Sequence, residues 1–105
     1  MIARTWRGWA RADDVEPYVA YLGETGVKEY RETPGNRGVL VLTRIDGDRA
    51  EFLIVSLWES MDAVRAFAGD DENVAVFYPD DDRFLVDRER HANHYDVAVE
   101  EPART

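Results

Sequence analysis

The sequence predicts one α+β domain over residues 1–105, ordered strand, helix, strand, strand, helix, strand as in ferredoxin-like folds. Three observations carry that expectation. Two β-branched apolar runs, Val39–Ile45 and Ala50–Glu59, flank the turn sequence Asp46-Gly47-Asp48-Arg49. Apolar residues at helical spacing precede this hairpin, and a serine-started apolar helix follows it. A tryptophan-rich strand opens the chain, and a strand around His94 closes it.

Ile2–Trp9 alternates as a strand, with Ile2, Arg4, Trp6 and Gly8 on one face and Ala3, Thr5, Arg7 and Trp9 on the other. Each face is expected to bury one large ring. Asp13 and Asp14 then supply an N-cap, and Pro17 sits in the first turn of a helix. Val15, Tyr18, Leu22 and Tyr30 share a helical stripe, widened by Val19 and Val27. Gly23 and Gly26 predict a bend or broken turn between Leu22 and Val27. Thr33-Pro34-Gly35-Asn36 is turn chemistry.

The hairpin admits two registers. With Asp46-Gly47 as the loop, Leu42 faces Glu51. With Gly47-Asp48 as the loop, Arg44 faces Glu51, Leu42 faces Leu53, Leu40 faces Val55 and Val41 faces Ile54. The second register is favoured. It pairs apolar with apolar, adds an opposite-charge pair, and places glycine first in a type II′ turn. Both faces of the hairpin are apolar. Too few helices exist to cover both, so the open face needs another cover, and a homodimer is expected.

Ser60 and Asp62 start the next helix through Met61, Val64, Phe67 and Ala68, with Gly69 as its stop. Asp70-Asp71-Glu72 is expected to start a further short helix ending at Phe77 and Tyr78, before Pro79. Asp80-Asp81-Asp82 reads as a solvated loop, since adjacent residues rarely converge on one ion. Phe84-Leu85-Val86 reads as a short strand or apolar anchor. His91–Val99 reads as the last strand, with Tyr95, Val97 and Val99 on one face and His94 and Asp96 on the other. A frayed tail is expected from Glu100 to Thr105.

Composition excludes several classes. The net charge of −9 opposes nucleic acid and anionic lipid. There is no cysteine, hence no disulfide, thiolate nucleophile or cysteine metal site. The opening MIARTWRGWARADD has neither the apolar run nor the cleavage site of a signal peptide, and no apolar run is long enough to span a membrane. A cytoplasmic location is expected, with no metal.

The chain resembles the antibiotic biosynthesis monooxygenase-like proteins of the dimeric α+β barrel superfamily, and within them an uncharacterised bacterial branch. The residues that carry the resemblance run over nearly the whole chain. They are Arg4-Thr5-Trp6-Arg7-Gly8, Tyr18–Leu22, Thr25-Gly26-Val27, Thr33–Gly38, Leu57-Trp58-Glu59-Ser60, Phe67-Ala68-Gly69 and His94-Tyr95-Asp96-Val97. The resemblance implies a homodimer of face-to-face sheets, with a pocket for a flat apolar ligand between helices and sheet. Its haem-degrading branch uses a helix histidine, a strand asparagine and a helix tryptophan. Those positions fall near Phe77 and Tyr78, near Arg4 and near Phe67, and none matches, so no haem and no other cofactor is expected, with a tyrosine ligand through Tyr78 the one haem alternative left open.

The quinol-oxygenase branch implies a cofactor-independent monooxygenase acting on a small aromatic or quinol-like substrate. Its catalytic residues would be His94 as base and Arg4 as anion stabiliser. Its substrate-binding residues would be Trp6, Tyr30, Trp58, Phe77 and Tyr78. The alternatives are a non-catalytic small-ligand-binding or stress-related dimer, and a pure assembly module, which predicts no ligand-sized cavity. Each candidate also has a plain structural reading: Trp58 and Trp9 as core, Tyr30 as packing at a helix end, His94 as a hydrogen-bonded strand histidine.

Overall fold

Hydrophobic alternation and turn chemistry build an antiparallel sheet with helices on one face. The computed structural model describes residues 1–102 of the chain. Its elements are β1 (Ile2–Arg11), a 3₁₀ turn (Ala12–Asp14), α1 (Val15–Glu24), α2 (Gly26–Glu32), β2 (Asn36–Asp46), β3 (Arg49–Trp58), α3 (Met61–Ala68), α4 (Asp81–Phe84), β4 (Leu85–Arg88) and β5 (Asn93–Asp96). The sheet order is β2-β3-β1-β4, and β5 also pairs with β1. β4 and β5 thus share one edge of β1, which gives the ferredoxin-like arrangement in four rows.

The hairpin adopts the favoured register. Arg44 pairs with Glu51, Leu42 with Leu53, Leu40 with Val55 and Val41 with Ile54. Gly47 has φ +65°, while no non-glycine residue among those described has positive φ, so Asp48 does not either. That combination fits a type II′ turn rather than type I′. At the far end of the hairpin, Gly35 has φ +91°, and a Cβ there would lie 2.5 Å from the Ala63 Cβ. Only glycine fits where this turn meets α3.

Alternation along β1 and β3 sorts the core from the open face. Arg4, Trp6, Gly8 and Ala10 of β1, with Ala50, Phe52, Ile54, Ser56 and Trp58 of β3, face the helices and are buried. Tyr18 of α1 packs edge-on to Phe52 at 4.9 Å, and Tyr30 of α2 lies 4.5 Å from Phe67 of α3. Of the two rings of β1, Trp6 is buried in the core. Trp9 is half-buried on the open face, with the guanidiniums of Arg7 and Arg49 over it. The helix break expected between Leu22 and Val27 occurs at Thr25, with φ −115° and ψ −93°. Ser60 caps α3 by accepting from the Ala63 N–H, and Gly69 ends it.

Several expectations are corrected. Asp14 occupies the N-cap position of α1, but neither it nor the 3₁₀ turn provides a side-chain cap bond. The second apolar helix ending at Tyr78 does not form. Residues 69–80 run as an irregular segment whose polar backbone groups go to the sheet edge: Val74 bridges His91, Ala75 N–H donates to Arg90 O, and Ala92 N–H donates to Asn73 O. The spacing of Val74, Phe77 and Tyr78 matched a helix, yet the edge between β4 and β5 offered competing partners. Asp81 is not in a solvated loop. It starts the single turn α4 and is buried, while Asp82 turns outward to Arg88. The last strand is shorter than His91–Val99, because β1 offers no partner beyond Ile2, although Val97 N–H still reaches Met1 O. Of the expected tail, residues 103–105 lie outside the described residues.

Candidate functional site

A narrow cleft lies between α1, α2, the 69–80 segment and the helix-facing side of β1 and β3. Arg4, Trp6, Tyr30 and Tyr78 line it together, with Tyr18 and Asp81 at its floor. Its free space is about 30 Å³, close to one water molecule's share of liquid. A larger hollow of about 550 Å³ lies on the opposite, open face of the sheet between Thr5, Leu42, Arg44 and Tyr95. That hollow is shallow and carries none of the candidate site residues.

Arg4 is the centre of the cleft's inner wall. Alternation on β1 turns it toward the helices, and only 3% of its surface is exposed. Its Nη1 donates to Glu72 O at 2.5 Å and to His94 Nε2 at 2.9 Å, and its Nη2 donates to Val74 O at 3.1 Å. A guanidinium has five N–H donors, so these bonds leave the Nε–H and one Nη2–H for a ligand. Burial lowers the Arg4 pKa, partly opposed by Tyr30 and Glu72. The cation still stands charged, because guanidinium starts far above neutrality.

His94 faces Arg4 across the β1–β5 pair, where the two residues are in register. Its Nε2 accepts from a cation, so the ring is neutral with its proton on Nδ1, a tautomer assigned from the partner. Burial pushes its pKa down, Arg4 pushes it further down, and Glu72 pulls it back. The histidine does not line the cleft; it stands behind Arg4.

That placement has a pH consequence. The native value lies below the ordinary histidine value, so the unfolded chain takes up this proton first, and stability rises with pH. The contribution is complete above about pH 6.5, the unfolded value. It is lost as pH falls through the lower native value, when His94 and Arg4 become facing cations. Glu72 is the only carboxylate among the causes acting on His94, and it opposes the loss. In His94→Gln, the amide oxygen can accept from Arg4 without titrating. Thermal unfolding from neutral pH to about pH 5 is expected to show a smaller midpoint drop in His94→Gln than in the wild type. Parallel curves would reject this role.

The tyrosines differ in their partners. Tyr30 is buried, and its hydroxyl pKa is pushed up to about 12 by burial, against the pull of Arg4. Tyr78 donates its hydroxyl to Glu29 Oε2 of α2, and burial followed by that bond raises its pKa. Tyr18 donates to Asp81 Oδ1 at 2.9 Å, while Asp81 Oδ2 accepts from Tyr78 N–H at 2.7 Å. Asp81 therefore pins α1 and the Tyr78 backbone to one point.

Two expected wall residues lie elsewhere. Trp58 is fully buried behind Tyr30 and Phe67, with its indole N–H on Ser56 Oγ at 2.9 Å. It is core, not wall. Phe77 sits outside the cleft, edge-on to Trp6 and beneath the Arg88 guanidinium. Sequence reasoning missed Glu29 and Asp81. A helix carboxylate next to Lys28 reads as solvated, so nothing in the chain marks Glu29. Asp81 did carry a signal, as an acidic first turn after Pro79 and before Phe84.

The cleft does not suit haem. No histidine, cysteine or methionine lines it. Its one accessible phenol, Tyr78, is committed to Glu29 and held protonated, whereas an iron ligand would be the phenolate.

No protein-family model matches the sequence, and no curated protein matches it. Solved structures do match. A Bacillus cereus protein provisionally assigned as an antibiotic biosynthesis monooxygenase is 17% identical, covers 97% of each chain and superposes with TM-score 0.68. A Deinococcus radiodurans protein with the same provisional assignment is 14% identical over the full length of both, with TM-score 0.64. The haem degrader MhuD of Mycobacterium tuberculosis, solved with two haems in its active site, is 15% identical and covers 97% of this chain and 100% of its own, with TM-score 0.60. No helix of the described residues is long and apolar enough to cross a membrane. The chain has the fold of the antibiotic biosynthesis monooxygenase-like proteins.

Proposed function

We propose that this protein is a cofactor-independent monooxygenase of a small aromatic or quinol-like substrate, acting as a cytoplasmic homodimer. The observation that supports it best is the meeting of Arg4, Trp6, Tyr30 and Tyr78 in one cleft of a monooxygenase-type fold. A quinol needs to lose a proton and be held before it reacts with dioxygen. Two free N–H groups of Arg4 would hold the oxyanion in a water-poor site, where such donors act strongly. The Trp6 and Tyr30 rings would hold the substrate face. His94 would orient Arg4 from behind.

Oxygen uptake by purified protein with a panel of hydroquinones and anthrones tests this. Uptake above the uncatalysed rate is expected, and none across the panel would sink the proposal. The small free volume fits the assembly module as it stands, and a non-catalytic ligand-binding dimer is the second reading. A ring needs more room than the cleft has, and the 69–80 segment is the one wall without regular structure. Thermal stabilisation by flat aromatics without turnover would select that reading, and neither stabilisation nor turnover would leave the assembly module.

The dimer rests on the open sheet face. Leu40 and Leu42 are 59% and 45% exposed, and Leu53, Val55 and Leu57 beside them are only half-covered. A contiguous apolar patch of this kind is unusual on a monomer, and a second copy covers it with no new chemistry. Sedimentation velocity is expected to show a dimer for the wild type and a folded monomer for Leu42→Asp. A monomeric wild type would remove the homodimer from the proposal.

A further inference from the structure

We infer that the proton acceptor of this cleft is the Tyr78–Glu29 pair, with Tyr78 touching the substrate and Glu29 positioned behind it to take the proton. The inference rests on the reading above that the cleft holds a phenolic substrate, and it assigns the base of that site.

Geometry carries it. Tyr78 lines the cleft, on the same wall system as Arg4 and Tyr30, whereas His94 does not. The Tyr78 ring lies against Gly26 at the start of α2, and its hydroxyl reaches Glu29 within the first turn of that helix. The Tyr78 oxygen donates its own hydrogen to Glu29 and keeps lone pairs to accept another. Glu29 takes part in none of the ion pairs among the described residues, so its carboxylate is not neutralised by a cation. His94, by contrast, already spends Nε2 on Arg4, and protonating it would set two cations in contact.

The step balances as one concerted transfer. The substrate O–H bond breaks, and its proton goes to the Tyr78 oxygen. The Tyr78 hydrogen moves to Glu29 Oε2. The electron pair stays on the substrate oxygen as a phenolate facing Arg4. Tyr78 never becomes an anion, in keeping with its raised pKa. The electron-rich ring is then the species open to dioxygen, and Glu29 releases its proton to water.

The test uses para-nitrophenol, whose phenolate absorbs in the visible while the phenol does not. Its absorbance is titrated with wild type, Glu29→Gln, Tyr78→Phe and, as a surface control on the same helix, Glu32→Gln. All are checked for folding by thermal unfolding, and oxygen uptake with an anthrone is measured beside them. The wild type and Glu32→Gln are expected to bind the probe as phenolate at a pH where the free probe is largely protonated. Glu29→Gln and Tyr78→Phe are expected to bind it as phenol and to lose about 100-fold or more in kcat, the range of a positioned base.

If all four proteins ionise the probe alike, the relay is wrong and the cleft reading stands. If the wild type ionises the probe through Glu29 but consumes no oxygen, the relay stands and the oxygenase reading falls. If no phenol binds the wild type, both fall. If Glu29→Gln or Tyr78→Phe fails to fold, the pH dependence of probe ionisation in the wild type decides. A transition in the carboxylate range supports the pair, and one in the histidine range overturns it.

Discussion

Replacing Trp58 by alanine is expected to lower the unfolding free energy by about 3–5 kcal/mol. Its ring is fully buried at the end of β3, against Tyr30 and Phe67. The loss combines transfer of the ring to water with the void left behind, which rigid β1 and β2 on either side cannot collapse to fill. Small domains have roughly 5–15 kcal/mol in hand, so this single change removes a large share of it. A domain of this size loses about 4–8 °C per kcal/mol, so the thermal midpoint should drop by roughly 12–40 °C. Trp58→Phe should drop it far less, keeping most of the area while losing the bond to Ser56. A drop of only a few degrees in Trp58→Ala would mean that the ring is not core and would revive its role as a ligand wall.

Arg4→Met is expected to have the opposite profile, with a modest effect on stability and a large one on turnover. Breaking its three hydrogen bonds would cost about 1.5–3 kcal/mol each if nothing offset them. Removing a buried cation also relieves a desolvation penalty of several kcal/mol, and the freed Glu72 and Val74 carbonyls lie on a surface segment that water can reach. The two terms oppose, leaving a net loss of about 1–2 kcal/mol. Turnover has no such offset. Loss of a preorganised oxyanion donor costs about 100–1,000-fold in kcat, so anthrone oxidation should fall by that factor. Arg4→Lys should recover little, because a point charge cannot serve both carbonyls and the ligand at once. Limited proteolysis of Arg4→Met should cut within 70–78 faster than in the wild type. A variant that keeps full activity would remove Arg4 from the chemistry.

How far the sequence could be read depended on whether the partner was local. The β2–β3 register was legible because Arg44, Leu42, Leu40 and Val41 each met a matching partner at the same distance on the other side of one turn. The α3 cap and stop were legible because Ser60 and Gly69 act on their own helix. The 69–80 segment was not, since its backbone partners sit at Arg90–Ala92 and only the assembled sheet presents them. Arg4 and His94 were named as a pair of roles but not as a contact. Their bond depends on β5 lying antiparallel to β1 in one register. Glu29 was invisible for the same reason, because its meaning lies wholly in a tyrosine far along the chain.

The division of one sheet edge between β4 and β5 bears on how the chain folds. Ile2 pairs with Asp96 and Gly8 with Arg88, so the first strand closes against residues far along the chain. Pairings of such sequence separation are slow, because loop-closure entropy is lost before the contacts form. The β2–β3 hairpin is local and can form early. The 69–80 wall of the cleft is bonded to that edge, so Arg4 and the Tyr78–Glu29 pair are expected to meet after the hairpin has formed. Until then the exposed side of β1 is an open strand edge, the kind that captures the matching segment of another chain.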